Sequence, residues 1–141
     1  MRLYEFNKTV RLVPGAHIID RAEEPENDGI YDRLHYLTPR ELVKQEVLIV
    51  EDGKRIVGAL GLEKNPYKDN TYWIDYVEVE YDYQNQQIAA KLIHSAFEFA
   101  YKRQVGLENS SYTPQGTERI KHIFARISKE FPDVDFQEQR R

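Results

Sequence analysis

The sequence predicts a single α/β domain, a mixed central sheet flanked by helices on both faces, and three observations predict it. Two apolar runs, residues 47–50 and 55–62, meet across Asp52-Gly53, which reads as an antiparallel hairpin. Residues 71–83, TYWIDYVEVEYDY, alternate like a strand and are rich in aromatic and β-branched side chains. They pass through QNQQ into a long helical pattern, after which residues 105–108 form a strand. A strand reached by a helical crossover must lie parallel to the strand before it.

In order, residues 2–13 read as an opening strand closed by Pro14-Gly15, a turn signal. An acid-rich stretch follows, with Glu23, Glu24, Glu26, Asp28 and Asp32 broken by Pro25 and Gly29. It reads as a solvated loop or as a rim that attracts a cation. Ile30, Leu34 and Leu37 allow a short helix. Thr38-Pro39-Arg40-Glu41 is a capping box that opens a second one through Lys44. In the hairpin, Gly58 and Gly61 predict bulges or a close neighbour, because glycine otherwise weakens a strand. Residues 65–70 form a loop into the central strand. Beyond Gln86, Ile88, Leu92, Ala96 and Ala100 make one ridge, and Ala89, Ile93 and Phe97 the next, with Asn85 as N-cap. Residues 110–116 form a loop. Ile120, Ile123, Phe124, Ile127 and Phe131 then mark a last helix that stops at Pro132. Residues 133–136 suit an edge strand, and 137–141 a frayed tail of the one domain, 1–141.

The 141 residues, 40% apolar and 31% charged, suffice for a folded core without metals or disulfides. The absence of cysteine rules out disulfides, thiolate metal sites and a cysteine nucleophile. No metal is expected, since His17, His35, His94 and His122 lack ligand spacing. The formal charge of −4 argues against nucleic acid as a partner and mildly favours a cationic one. No apolar run suits a signal peptide or a membrane span, so a cytoplasmic protein without membrane contact is expected.

Chemistry is expected where the central strand turns into the long helix. Backbone N–H groups of Gln84, Asn85, Gln86, Gln87, Ile88 and Ala89 stand beside the positive end of the helix dipole, which suits a phosphate. Lys91 or Lys121 would add charge at the rim. Strict alternation puts Trp73, Asp75, Val77 and Val79 on one row, where Asp75 is the single carboxylate. A carboxylate so placed is a candidate general base, and a structural Asp bonded to backbone N–H groups near a bulge is the equal alternative. Glu78 is read as a solvent-facing residue and as the base next in line.

This run of residues resembles the GNAT family of N-acetyltransferases. The family strand ends in Val-x-Pro-x-Tyr and leads into Arg/Gln-x-x-Gly-x-Gly/Ala, and the matching residues here are Val79-Glu80-Tyr81-Asp82-Tyr83 and then Gln84-Asn85-Gln86-Gln87-Ile88-Ala89. The hairpin ending in Ile56-Val57-Gly58-Ala59-Leu60 is similar to the family's second and third strands, and the likeness covers residues 46–131. The resemblance implies transfer of an acetyl group from acetyl-CoA to a primary amine by direct attack. The pyrophosphate would lie over residues 84–89 and the pantetheine would run beside Val77 and Val79, with the sheet splayed near Val79 and Leu107. Gln87 stands where the family has a glycine, and Phe124 where its last helix often has a tyrosine. Tyr112 is then the substitute proton donor. Partners implied are acetyl-CoA and an amine acceptor, presented between the acid-rich segment and residues 110–116, with a homodimer allowed. The other reading is a degenerate domain that binds CoA or a protein without catalysis.

Overall fold

The computed structural model describes residues 9–84, 87–109 and 117–138. The elements run β1 (Val10–Pro14), α1 (Gly15–Arg21), α2 (Asp28–Leu34), α3 (Pro39–Val43), β2 (Glu46–Asp52), β3 (Arg55–Lys64), β4 (Thr71–Val79), α4 (Ile88–Arg103), β5 (Gly106–Asn109), α5 (Thr117–Ser128) and β6 (Phe136–Glu138). The six strands form one sheet in sequence order, β1 to β6. Neighbours from β1 to β4 are antiparallel, whereas β5 lies parallel to β4, as its helical crossover requires, and β6 parallel to β5.

Two cores flank the sheet. One joins Leu60, Ile74, Leu92, Phe97, Leu107 and Phe124 under α4 and α5. The other joins Ile18, Ile30, Leu34, Leu42, Ile49 and Tyr76 under α1, α2 and α3. Each strand of the hairpin feeds both, which is why β3 is buried almost end to end. Among the described residues, no helix is long and apolar enough to cross a membrane.

Several expectations change. Pro14-Gly15 closes β1 but opens a helix instead of a turn. The Gly15 N–H donates to the Gln45 carbonyl at 2.9 Å, and a Cβ on Gly15 would stand 1.6 Å from the Leu42 carbonyl oxygen. Here glycine serves close approach of two helix ends. The hairpin loop is Gly53-Lys54, with Gly53 at φ 62° and Asp52 still in β2. The Thr38–Glu41 capping box forms in both directions. Strand β4 stops at Val79, and residues Tyr81–Tyr83 are a 3-10 turn. The edge strand is Phe136–Glu138, so Gln137 and Glu138 belong to the sheet and not to a tail.

Candidate active site

Strand β4 carries an irregularity that alternation could not show. Tyr76 pairs with Gly61 of β3 and Ile74 with Leu62, so Asp75 is an extra residue, a bulge in the ladder. The bulge resets the faces. Ile74, Val77 and Val79 pack into the core under α4, whereas Tyr76 lies in the core under α1 to α3 and Glu78 bonds Arg33 of α2. Asp75 therefore does not share a row with Val77 and Val79. As a residue it is exposed, but its carboxyl is half-buried against the α1 to α3 face, where Oδ2 accepts a hydrogen bond from Gln45 Nε2 at 2.8 Å. Burial of its carboxyl raises the Asp75 pKa, the Gln45 donor opposes that shift, and Glu41 adds to it.

Among the described residues, pairing between β4 and β5 runs from Thr71–Gly106 to Ile74–Asn109, and β4 continues to Val79. Among the described residues, no strand pairs with the edge of β4 beyond Ile74. Leu107, where the splay was expected, is paired with Tyr72. Gln84 Nε2 bonds the Val79 carbonyl at 3.2 Å.

The helix after the turn starts at Ile88 with Gln87 as its N-cap, not at Gln86 with Asn85. Gln87 is left-handed, φ 62° and ψ 21°, and its side chain caps nothing. A left-handed non-glycine residue costs on the order of 1–3 kcal/mol, so the fold imposes here the conformation a glycine would adopt freely. The helix ladder begins with Lys91 N–H to the Gln87 carbonyl at 3.1 Å, which leaves the first-turn N–H groups without a helical acceptor. The Ile88 side chain is buried against Gly58, and Ala89 is part-buried.

Glu78 is not the solvent-facing residue expected. Its carboxylate accepts from Arg33 Nε at 2.9 Å and from the Tyr36 hydroxyl at 3.3 Å. Burial, then the Glu78 charge, pushes the Tyr36 phenol well up. Phe124 is fully buried and stacks on Phe136 at 5.4 Å, so that position is core. Asn85, Gln86 and Tyr112 lie outside the described residues, as does the loop 110–116. In the acid-rich stretch Glu24 is engaged by Arg21 and Asn27, while Glu23, Glu26, Asp28 and Asp32 are exposed. An apolar cavity of about 370 Å³ lies between α1, α2 and α3 over Ile56, and neither Asp75 nor Glu78 lines it.

Sequence reasoning missed four residues. Gln45 is nearly fully buried beside Asp75, and Tyr36 holds Glu78. Glu80, 4% exposed, binds Arg55 through both carboxylate oxygens just before the phosphate-type turn. Gln45 and Glu80 are marked only by their burial, and Tyr36 and Arg55 only by the carboxylates they hold, none of which a single sequence displays.

Residues 15–115 match the family described as acetyltransferase (GNAT). The chain belongs to the GNAT acetyltransferase family. No curated protein matches it. Among solved structures, an IAA acetyltransferase from Bacillus cereus superposes with a TM-score of 0.61 at 15% identity, covering 84% of this chain and 73% of that one. A ribosomal-protein-alanine N-acetyltransferase from Brucella melitensis gives a TM-score of 0.57 at 15% identity over 84% and 88%. A Bacillus subtilis acetyltransferase in complex with CoA gives 0.56 at 17% identity over 86% and 75%. These likenesses establish the GNAT fold.

Proposed function

We propose that this GNAT acetyltransferase moves an acetyl group from acetyl-CoA to a primary amine by direct attack. One observation carries the reading: β4 runs on past its described pairing with β5 toward a helix N-terminus whose cap, Gln87, holds a glycine-like conformation. The first-turn N–H groups of α4 suit a pyrophosphate, and the β4 edge at Val77 to Val79, which no described strand covers, suits the amide groups of a pantetheine, as an added strand would. The Bacillus subtilis relative was solved with CoA, which supports the same ligand here.

Asp75 is the proposed base, acting directly or through a water. An alkyl ammonium must lose a proton before its nitrogen can attack, and a carboxylate with a raised pKa accepts that proton readily. The nitrogen lone pair then forms the C–N bond, the C–S bond breaks, and the nitrogen releases its second proton, which replaces the one delivered to sulfur. The departing thiolate takes up a proton, for which Tyr112 is the proposed donor. Glu78 is the weaker candidate because Arg33 and Tyr36 already hold its oxygens. The exposed acids Glu23, Glu26 and Asp28 suit a cationic acceptor.

Isothermal titration with acetyl-CoA and a screen of amines and peptides for CoA release test the reading. Binding with release, lost by about 10²-fold or more in kcat in Asp75→Asn with CoA affinity kept, is expected. No affinity up to millimolar acetyl-CoA would reject it in favour of a non-catalytic interaction module.

A further inference from the structure

We propose that Gln45 is a positioning residue for the transfer: from beneath the β4 bulge, its buried amide holds the Asp75 carboxylate in place as the proton acceptor. The proposal rests on the reading of Asp75 as base.

Gln45 links the end of α3 to β2, and its main chain is pinned on both sides. Its N–H donates to the Leu42 carbonyl at 3.0 Å, and its carbonyl accepts from Gly15 N–H at 2.9 Å. The side chain, 3% exposed, is thereby driven under the sheet face. Burying an amide costs free energy unless its groups are bonded. Here Nε2 donates to Asp75, while Oε1 has no partner among the described residues. The fold thus retains a half-satisfied buried amide whose one side-chain bond is to Asp75.

The slot for that amide is built by two further features. Asp75 is the extra residue of the bulge, and Gly61, across the ladder from Tyr76, leaves the space. A Cβ on Gly61 would stand 2.7 Å from Gln45 Oε1 and 2.3 Å from a Tyr76 ring carbon. Bulge, glycine and buried amide coincide at one carboxylate.

The choice of a neutral donor has chemical content. A guanidinium in contact would lower a carboxyl pKa by about 1–3 units and weaken it as a base, whereas an amide fixes orientation with less effect. The molecule shows both cases. Glu51, held by Arg11 and Arg21, is lowered despite burial, and Asp75, held by Gln45, is raised. Among the described residues, Glu41 of α3, Tyr36 after α2 and Tyr76 of β4 also interact electrostatically with Asp75, and the nearby Arg33 of α2 is committed to Glu78.

The test compares Gln45→Met, which removes the donor at similar volume, and Gln45→Glu, which adds a competing carboxyl, with Asp75→Asn as reference. Two quantities are read in folded protein: the acidic limb of the kcat/KM against pH profile, and the Asp75 carboxyl titration by carbon NMR. Gln45→Met should move both upward by about 1 unit, the size of one lost hydrogen bond to a carboxylate, and Gln45→Glu further. The kcat should fall by about 10-fold with the KM for acetyl-CoA unchanged. If Asp75→Asn is inactive but both Gln45 variants leave limb and titration in place, Gln45 has no positioning role. If Asp75→Asn keeps full kcat, the base reading itself fails, and the role of Gln45 with it.

Discussion

The Glu80 carboxylate is clamped between two residues of different elements: Arg55 binds it through two bonds, and Gly29 lies so close that a Cβ there would stand 2.6 Å from Glu80 Cγ and Cδ. Glu80 connects the end of β4 to the turn before α4, so the clamp fixes where that turn begins. Arg55→Ala leaves a buried carboxylate unpaired. It should cost about 3 kcal/mol in urea unfolding, the low end for a broken buried pair because Arg55 is itself partly exposed. Adding Glu80→Gln to Arg55→Ala should restore part of the loss. Gly29→Ala overpacks the same contact and should cost about 1–3 kcal/mol. Equal stability of Arg55→Ala and wild type would show that the carboxylate finds other solvation.

Gln87→Gly should raise stability by up to about 1 kcal/mol, because glycine meets the left-handed conformation without the Cβ penalty. Gln87→Val should lower it, since a β-branched residue tolerates positive φ poorly. Titration with acetyl-CoA should give the glycine variant an affinity at or above that of wild type. A weaker affinity would mean that the Gln87 side chain itself contacts the ligand.

The fold was largely legible because its signals are local. Thr38 and Glu41 announce the α3 start, Gly53 the hairpin, and the change of period from Gln86 the crossover helix that makes β5 parallel. The site was legible at coarser grain. The strand-to-helix junction was found, but Asp75 was assigned to the wrong face, because a bulge is a property of two strands in register and leaves alternation intact in either one alone. Helix α1 was missed because Pro14-Gly15 has the composition of a turn, while the reason for its glycine, the Leu42 carbonyl, lies far along the chain. Gln45 and Glu80 are ordinary surface types whose burial arises only in the folded molecule, as does the pairing of Arg55 with Glu80.

Gly15→Ala should be among the most damaging single-methyl changes. The new Cβ would meet the Leu42 carbonyl oxygen at 1.6 Å and its carbon at 2.6 Å, and both are backbone atoms that no rotamer change can move. The start of α1 must retreat from the end of α3, breaking the Gly15 to Gln45 bond. A loss of about 3 kcal/mol or more is expected in denaturant unfolding. Activity should fall in the protein that remains folded, since Gln45 carries Asp75. Wild-type stability would mean that the two helix ends separate without penalty.

Asp75→Asn should leave the protein more stable than wild type at pH 7. The Asp75 carboxyl has a folded pKa above its unfolded value, with burial as the main cause. Below both values the group is neutral in either state and contributes nothing to the pH dependence. As pH rises through them, the charge is less well accommodated in the folded protein, and stability falls. Asparagine cannot ionise, and its carbonyl oxygen can still accept from Gln45. Glu51, whose pKa is lowered despite burial by the Arg21 and Arg11 bonds, behaves oppositely and loses its stabilisation as pH falls, but it does so in both proteins. The difference between the two Tm curves therefore isolates Asp75. It should be positive for the variant at pH 7 and close as pH drops below about 4, the ordinary value of an unfolded aspartate. A variant less stable than wild type at pH 7 would show instead that the ionised Asp75 is a net structural contributor, the behaviour of an aspartate kept for the fold and not for proton transfer.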